Sequence, residues 1–168
     1  MGKVILTCGK ICSGKSYYSK QVKDELNAVI ISPDEATYEL LNNEQGEFYD
    51  IFSERLSKYL TRKVGEIAQA GANVIFEKGL WSKKERQEVR DYYKSIAIDC
   101  EIHYICVDDE TWKQNIAERN KRVQEGNGGS DFYLDEGPMK KLESLWEEPN
   151  EEEYDILYIV NRNKNLYF

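Results

Sequence analysis

The residues best suited to chemistry stand close together near the start of the chain. Gly9-Lys10-Ile11-Cys12-Ser13-Gly14-Lys15-Ser16 matches the pattern G-x-x-x-x-G-K-[ST]. Each residue type has a physical reason. Glycine lets the backbone bend so tightly that successive N–H groups turn inward and form a concavity for phosphate oxygens. A helix starting at the second glycine adds the positive end of its dipole to the same anion. Lys15 can reach the β- and γ-phosphates of a nucleotide, and the Ser16 hydroxyl can ligate Mg²⁺. The expected nucleotide-binding set is Gly9, Lys10, Ile11, Cys12, Ser13, Gly14, Lys15 and Ser16, together with Tyr17.

Phosphoryl transfer needs little covalent help beyond this, only positioning and positive charge around the moving group. Arg119 and Arg122, three apart on one helix face and followed by the Gly-rich stretch Glu125–Asp131, suit a lid that closes over ATP and excludes water. The alternative is a solvated basic helix end. Asp34, after Ser32-Pro33, can accept the proton of a hydroxyl that attacks the γ-phosphate, or it only caps the helix that Pro33 opens. Glu77 can orient Mg²⁺ through water, or it forms a structural pair with Lys78 or another basic residue. Lys83 and Arg86 stand where they can hold an anionic substrate group, with surface solvation as the alternative.

Five apolar runs must position these groups: Val4-Ile5-Leu6, Ala28–Ile31, Asn73–Glu77, Cys100–Val107 and Ile156–Val160. They are continuous rather than alternating, as expected of parallel strands covered on both faces. Helical stretches separate them. Lys15 to Leu26 contains no Gly or Pro, and a helix after Pro33 runs toward Leu41. After a loop at 42–46, apolar residues from Phe48 to Ala68 recur at helical spacing, with Gly71 as the cap. Ser82 and Glu85 form a capping box for a helix to about Ser95. Further helices start at Asp108-Asp109 and at Pro138. This alternation gives βαβ units and a sheet with helices on both faces. Ligands bind such sheets beyond the carboxyl ends of the strands, where Thr7, Asp34, Glu77 and Asp108 all fall. His103 sits inside a strand and reads as structural.

The 168 residues suit one domain, residues 1–168, with the lid at about 119–137. A net charge of −8 disfavours nucleic acid as a partner, and the excess acid lies in the second half. No secretory signal or membrane span is visible, and the four cysteines show no metal-ligand spacing, so a reduced cytoplasm fits. Cys12 alone lies in the phosphate loop, where oxidation would be felt. Asn161 to Phe168 carry no readable signal.

With these residues in view, the chain resembles the small P-loop kinases of the ATP-binding AAA domain family, a group related to zeta toxins, chloramphenicol phosphotransferase, gluconate kinase and polynucleotide kinase. The likeness rests on Gly9–Ser16, Ser32-Pro33-Asp34-Glu35, Val74–Glu77 running into Gly79-Leu80-Trp81-Ser82, Arg86, Arg119 with Arg122, and Trp146–Glu153. It implies an α/β three-layer P-loop NTPase fold with a five-stranded parallel sheet of order 2-3-1-4-5, ATP with Mg²⁺, and transfer to a hydroxyl. The implied catalytic residues are Lys15, Asp34, Arg119 and Arg122. Ser16 and Glu77 are implied at the metal, and Asp34, Trp81, Lys83 and Arg86 at the acceptor. Two departures stand out. Many relatives carry Arg three residues after the aspartate, where this chain has Thr37, and many have Asp where it has Glu77.

The expectation is an ATP-dependent kinase for a small hydroxyl-bearing acceptor, working as a monomer or homodimer. A nucleotide-driven switch or ATPase, and a nucleoside or nucleotide kinase, are the alternatives.

Overall fold

The structure, a computed structural model, describes residues 1–42, 44, 46–160 and 166–167. Asn43 and Gln45 of the expected 42–46 loop, and residues 161–165 and 168 of the tail, lie outside the described residues. The elements run β1 (Val4–Cys8), α1 (Lys15–Val22), β2 (Ala28–Ile31), α2 (Pro33–Leu41), α3 (Tyr49–Gln69), β3 (Asn73–Gly79), α4 (Lys83–Ser95), β4 (Cys100–Val107), α5 (Asp109–Gln124), α6 (Glu136–Leu145), β5 (Ile156–Val160) and β6 (Leu166–Tyr167).

The first five strands are parallel in the order β2-β3-β1-β4-β5, the order the resemblance implies. Strand alternation sorts the core into two layers. Val4, Leu6, Val74, Phe76 and Ile102 pack on one face against Val64 and Ala68 of α3 and Val89 and Tyr93 of α4. Ile5, Ile75, Ile105 and Tyr158 pack on the other against Tyr18 and Val22 of α1. His103 is buried on this second face, its Nδ1 lying 2.8 Å from the Tyr18 hydroxyl, and is structural.

Several details differ from the sequence expectation, among them β3 running on to Gly79 and α6 starting at Glu136 rather than Pro138. The first helix stops at Val22, followed by a turn over 23–27 in which Asn27 takes a left-handed conformation (φ 45°) and leads into β2. The two-residue β6 adds to β5 in antiparallel sense, and a strand that short has no periodicity to read. The register of β1 on β3 shifts between Leu6–Phe76 and Cys8–Gly79, so β3 carries one extra residue beside the phosphate loop. Such a bulge re-aims side chains at a strand end.

Candidate nucleotide and acceptor cleft

The phosphate loop joins β1 to α1 with no side-chain cap on the helix. Gly14 is the N-cap (φ 101°), and Cys12 is also left-handed (φ 58°). At Gly9 the constraint is close approach: a Cβ there would lie 2.7 Å from the Ile105 carbonyl oxygen and 2.6 Å from Ser13 Oγ. Four successive carbonyls of the loop accept hydrogen bonds from side chains. Lys15 Nζ donates to the Gly9 oxygen at 2.8 Å and the Lys10 oxygen at 2.7 Å. Trp112 Nε1 donates to the Ile11 oxygen at 2.7 Å, and Asn115 Nδ2 to the Cys12 oxygen at 2.9 Å. Trp112 and Asn115 draw the Ile11 and Cys12 carbonyls toward α5, which leaves loop N–H groups and the start of α1 to face an anion. Burial lowers the Lys15 pKa, and the charges of Asp34 and Glu77 partly offset this. Burial raises the Cys12 thiol, which leaves less thiolate for oxidation.

No sequence motif marks Trp112 and Asn115. Their signal was the 3–4 spacing to Arg119, which puts all three on the face of α5 that meets the loop. Arg119 completes the stripe, with Nη1 3.7 Å from Cys12 Sγ. Its Nε donates to the Phe132 oxygen at 3.1 Å, its guanidinium lies 4.7 Å from the Phe132 ring centre, and it is buried, so the solvated alternative does not describe it. Arg122 is half exposed. One carboxylate, that of Asp131, lies 3.4 Å from Arg119 and 3.2 Å from Arg122.

Ser16 Oγ donates to Glu77 Oε2 at 3.2 Å, whereas Lys78 turns to the opposite face and donates to Thr61 Oγ1 at 3.1 Å. The pairing of Glu77 with Lys78 is therefore not made. A hydroxyl and a carboxylate converging beside the loop fit a hard cation that shares its shell with phosphate and water. Among the described residues, no group of three or more His, Cys, Asp or Glu could cage a metal without such help.

Asp34 sits in the first turn of α2, whose Ser32 cap accepts from the Glu35 N–H at 3.3 Å. Asp34, Lys15, Ser16, Glu77, Arg119 and Arg122 all line one cleft of about 1450 Å³. Tyr38 and Tyr49 form part of its wall beyond Asp34. Burial raises the Tyr49 pKa, and the Asp34 charge adds to that shift.

Trp81, Lys83 and Arg86 lie elsewhere, outside the residues lining this cleft. The Ser82–Glu85 capping box orients α4 so that its first turn meets the acidic stretch after α6. Glu147 Oε2 accepts from the Lys83 N–H at 2.6 Å, and Trp81 packs edge-on against Trp146 at 5.8 Å. Arg86 is buried and bonded to Leu80 and Glu153. Lys83 and Arg86 line a second cavity of about 510 Å³ with Glu147, Glu148 and Glu153.

A family profile described as an AAA domain matches residues 4–140. The chain belongs to the AAA domain family. The sequence matches no curated protein. Several solved structures share its fold. A sugar kinase from Janibacter sp. HTCC2649 is 14% identical over 95% of this chain and 86% of its own, with a TM-score of 0.63. The Mycobacterium tuberculosis APS kinase, solved with AMPPNP and APS, is 18% identical over 96% and 90%, at 0.62. Chaetomium thermophilum Kti12, solved with ADP-AlF3, is 15% identical over 95% and 89%, at 0.69. At such identities the likeness is one of fold, that of P-loop kinases. No described helix is long and apolar enough to cross a membrane.

Proposed function

We propose that this AAA domain protein is an ATP-dependent kinase that transfers the γ-phosphoryl group to a hydroxyl of a small molecule. The observation that carries the reading is a single cleft holding both Lys15 and Ser16 of the phosphate loop and, across it, Asp34 with room beyond. In the reaction the acceptor oxygen forms a bond to the γ-phosphorus, the bond to the β–γ bridging oxygen breaks, and ADP leaves. Asp34 takes the hydroxyl proton. Lys15 and the loop N–H groups stabilise charge on the phosphates, and Arg119 with Arg122 closes residues 119–137 as a lid. Ser16 and Glu77 would hold Mg²⁺, which supplies charge neutralisation on the phosphates when bound. The whole chain, 1–168, acts as one cytoplasmic kinase domain in this account.

The lid arginines supply a first prediction. Asp131 neutralises both, and a nucleotide polyphosphate competes with it. Asp131→Asn should therefore tighten ATP binding about two- to fivefold, the scale of a partly exposed ion pair. Equilibrium titration with ATP checks this; weaker binding would mean that Asp131 holds the arginines in place around the nucleotide.

The reading itself is tested by ADP release from MgATP across nucleosides, nucleotides, sugars, aminoglycosides and amino-sugar nucleotides. One class should raise turnover at least about tenfold above the rate with water, a modest fraction of what positioning supplies. If ATP binds and no class raises turnover, a nucleotide-driven switch or ATPase is the better account.

A further inference from the structure

We infer that Arg86, held by Glu153, is a positioning residue for the phosphate loop, acting through the backbone of the β3–α4 turn and not as an acceptor ligand. The inference rests on the proposal that the loop binds nucleotide. Gly79 and Leu80 are consecutive left-handed residues (φ 83° and 52°), and Leu80 is buried. A leucine held there is strained and persists only where its surroundings secure it. The Leu80 carbonyl is secured twice, accepting from Arg86 Nη1 at 3.0 Å and from Cys8 Sγ at 3.4 Å. The adjacent Gly79 carbonyl accepts from the N–H of Gly9, the first loop residue, at 3.1 Å. The turn thus holds the entry to the loop from two successive carbonyls, and the guanidinium holds the turn.

The guanidinium is held in turn by the acidic stretch. Arg86 Nη2 donates to Glu153 Oε2 at 3.1 Å, and Arg86 Nε has no partner among the described residues, so Leu80 and Glu153 set its orientation. The same Glu153 oxygen accepts from the Asn150 N–H at 3.0 Å, while Arg90 donates to the Glu153 carbonyl at 3.2 Å and to Asp155 at 2.7 Å. Residues 147–155 are therefore a strap tied along α4, and Arg86 links that strap to Gly9. At 2% exposure and outside the lining of the large cleft, Arg86 has no path to an acceptor there.

The test uses the intact chain and four variants: Glu153→Gln, Arg86→Lys, the double Arg86→Met with Glu153→Leu, and Lys84→Ala, whose ammonium faces Glu88, as a rim control. The double variant removes both buried charges together, a change that proteins often tolerate, but it also removes the hold on Leu80. Its thermal midpoint without nucleotide should stay near that of the parent, while its Kd for a fluorescent ADP analogue rises about tenfold, the scale of one hydrogen bond from a charged donor. Exchange of the Gly9 amide in nucleotide-free protein should speed up in parallel. Arg86→Lys and Glu153→Gln should show smaller shifts in the same direction, and Lys84→Ala none. The inference is overturned if Gly9 exchange and nucleotide Kd stay at parent values in all Arg86 and Glu153 variants, or if only the acceptor KM moves. Failure of the parent itself to bind nucleotide would contradict the proposed function instead, and Gly9 exchange would still decide the tether.

Discussion

Replacing Lys15 with alanine is expected to lower kcat/KM for MgATP by about 10²–10³, the range seen when one preorganised donor to a developing charge is removed. The ammonium is held 2.8 Å and 2.7 Å from the Gly9 and Lys10 carbonyl oxygens, inside the loop that must receive the phosphates. A charge held there at low effective dielectric acts more strongly than one in water and needs no reorganisation as the phosphoryl group moves. The loop should survive the change, because Trp112 and Asn115 still hold two of its carbonyls. The variant is thus expected to keep its thermal midpoint and lose turnover. Steady-state kinetics beside a melting curve separates the two.

Asp34→Asn is expected to cost about 10²–10⁴ in kcat with the acceptor present, the usual contribution of a positioned general base. The asparagine keeps the shape of the first turn of α2 but cannot take a proton. The Ser32 cap is unaffected, since its hydroxyl serves the Glu35 N–H. A residue that only capped the helix would give a small change in stability and an unchanged kcat. The comparison to make is acceptor-dependent turnover against the slow rate with water. Loss of the first alone assigns Asp34 to proton transfer, whereas equal loss of both would place its effect on the nucleotide.

Much of the fold could be read in advance, because a parallel sheet writes itself as continuous apolar runs and a phosphate loop as fixed glycine spacing. Val4–Leu6 and Ala28–Ile31 carry that signal plainly, and the capping box at Ser82 and Glu85 marks a helix start from four residues. What stayed hidden depends on long-range placement. Arg86 on its helix looks like any basic surface residue until Glu153, 67 positions later, folds over it. The acidic stretch 147–155 looks like a solvated charge run, yet Arg86, Arg90 and the Lys83 N–H all bind it. The register shift of β3 between Phe76 and Gly79 has no composition of its own. Trp112 was legible in principle, through its spacing to Asn115 and Arg119, but an aromatic residue at helical spacing is more often simple packing.

The account stands most directly on the fate of the γ-phosphoryl group. Mass spectrometry of products after incubation with MgATP and the acceptor panel, with Lys15→Ala alongside, follows that fate. The account predicts one acceptor heavier by a single phosphoryl group, formed in step with ADP and absent from the variant. ADP and inorganic phosphate in equal amounts, with every acceptor unchanged, would contradict it.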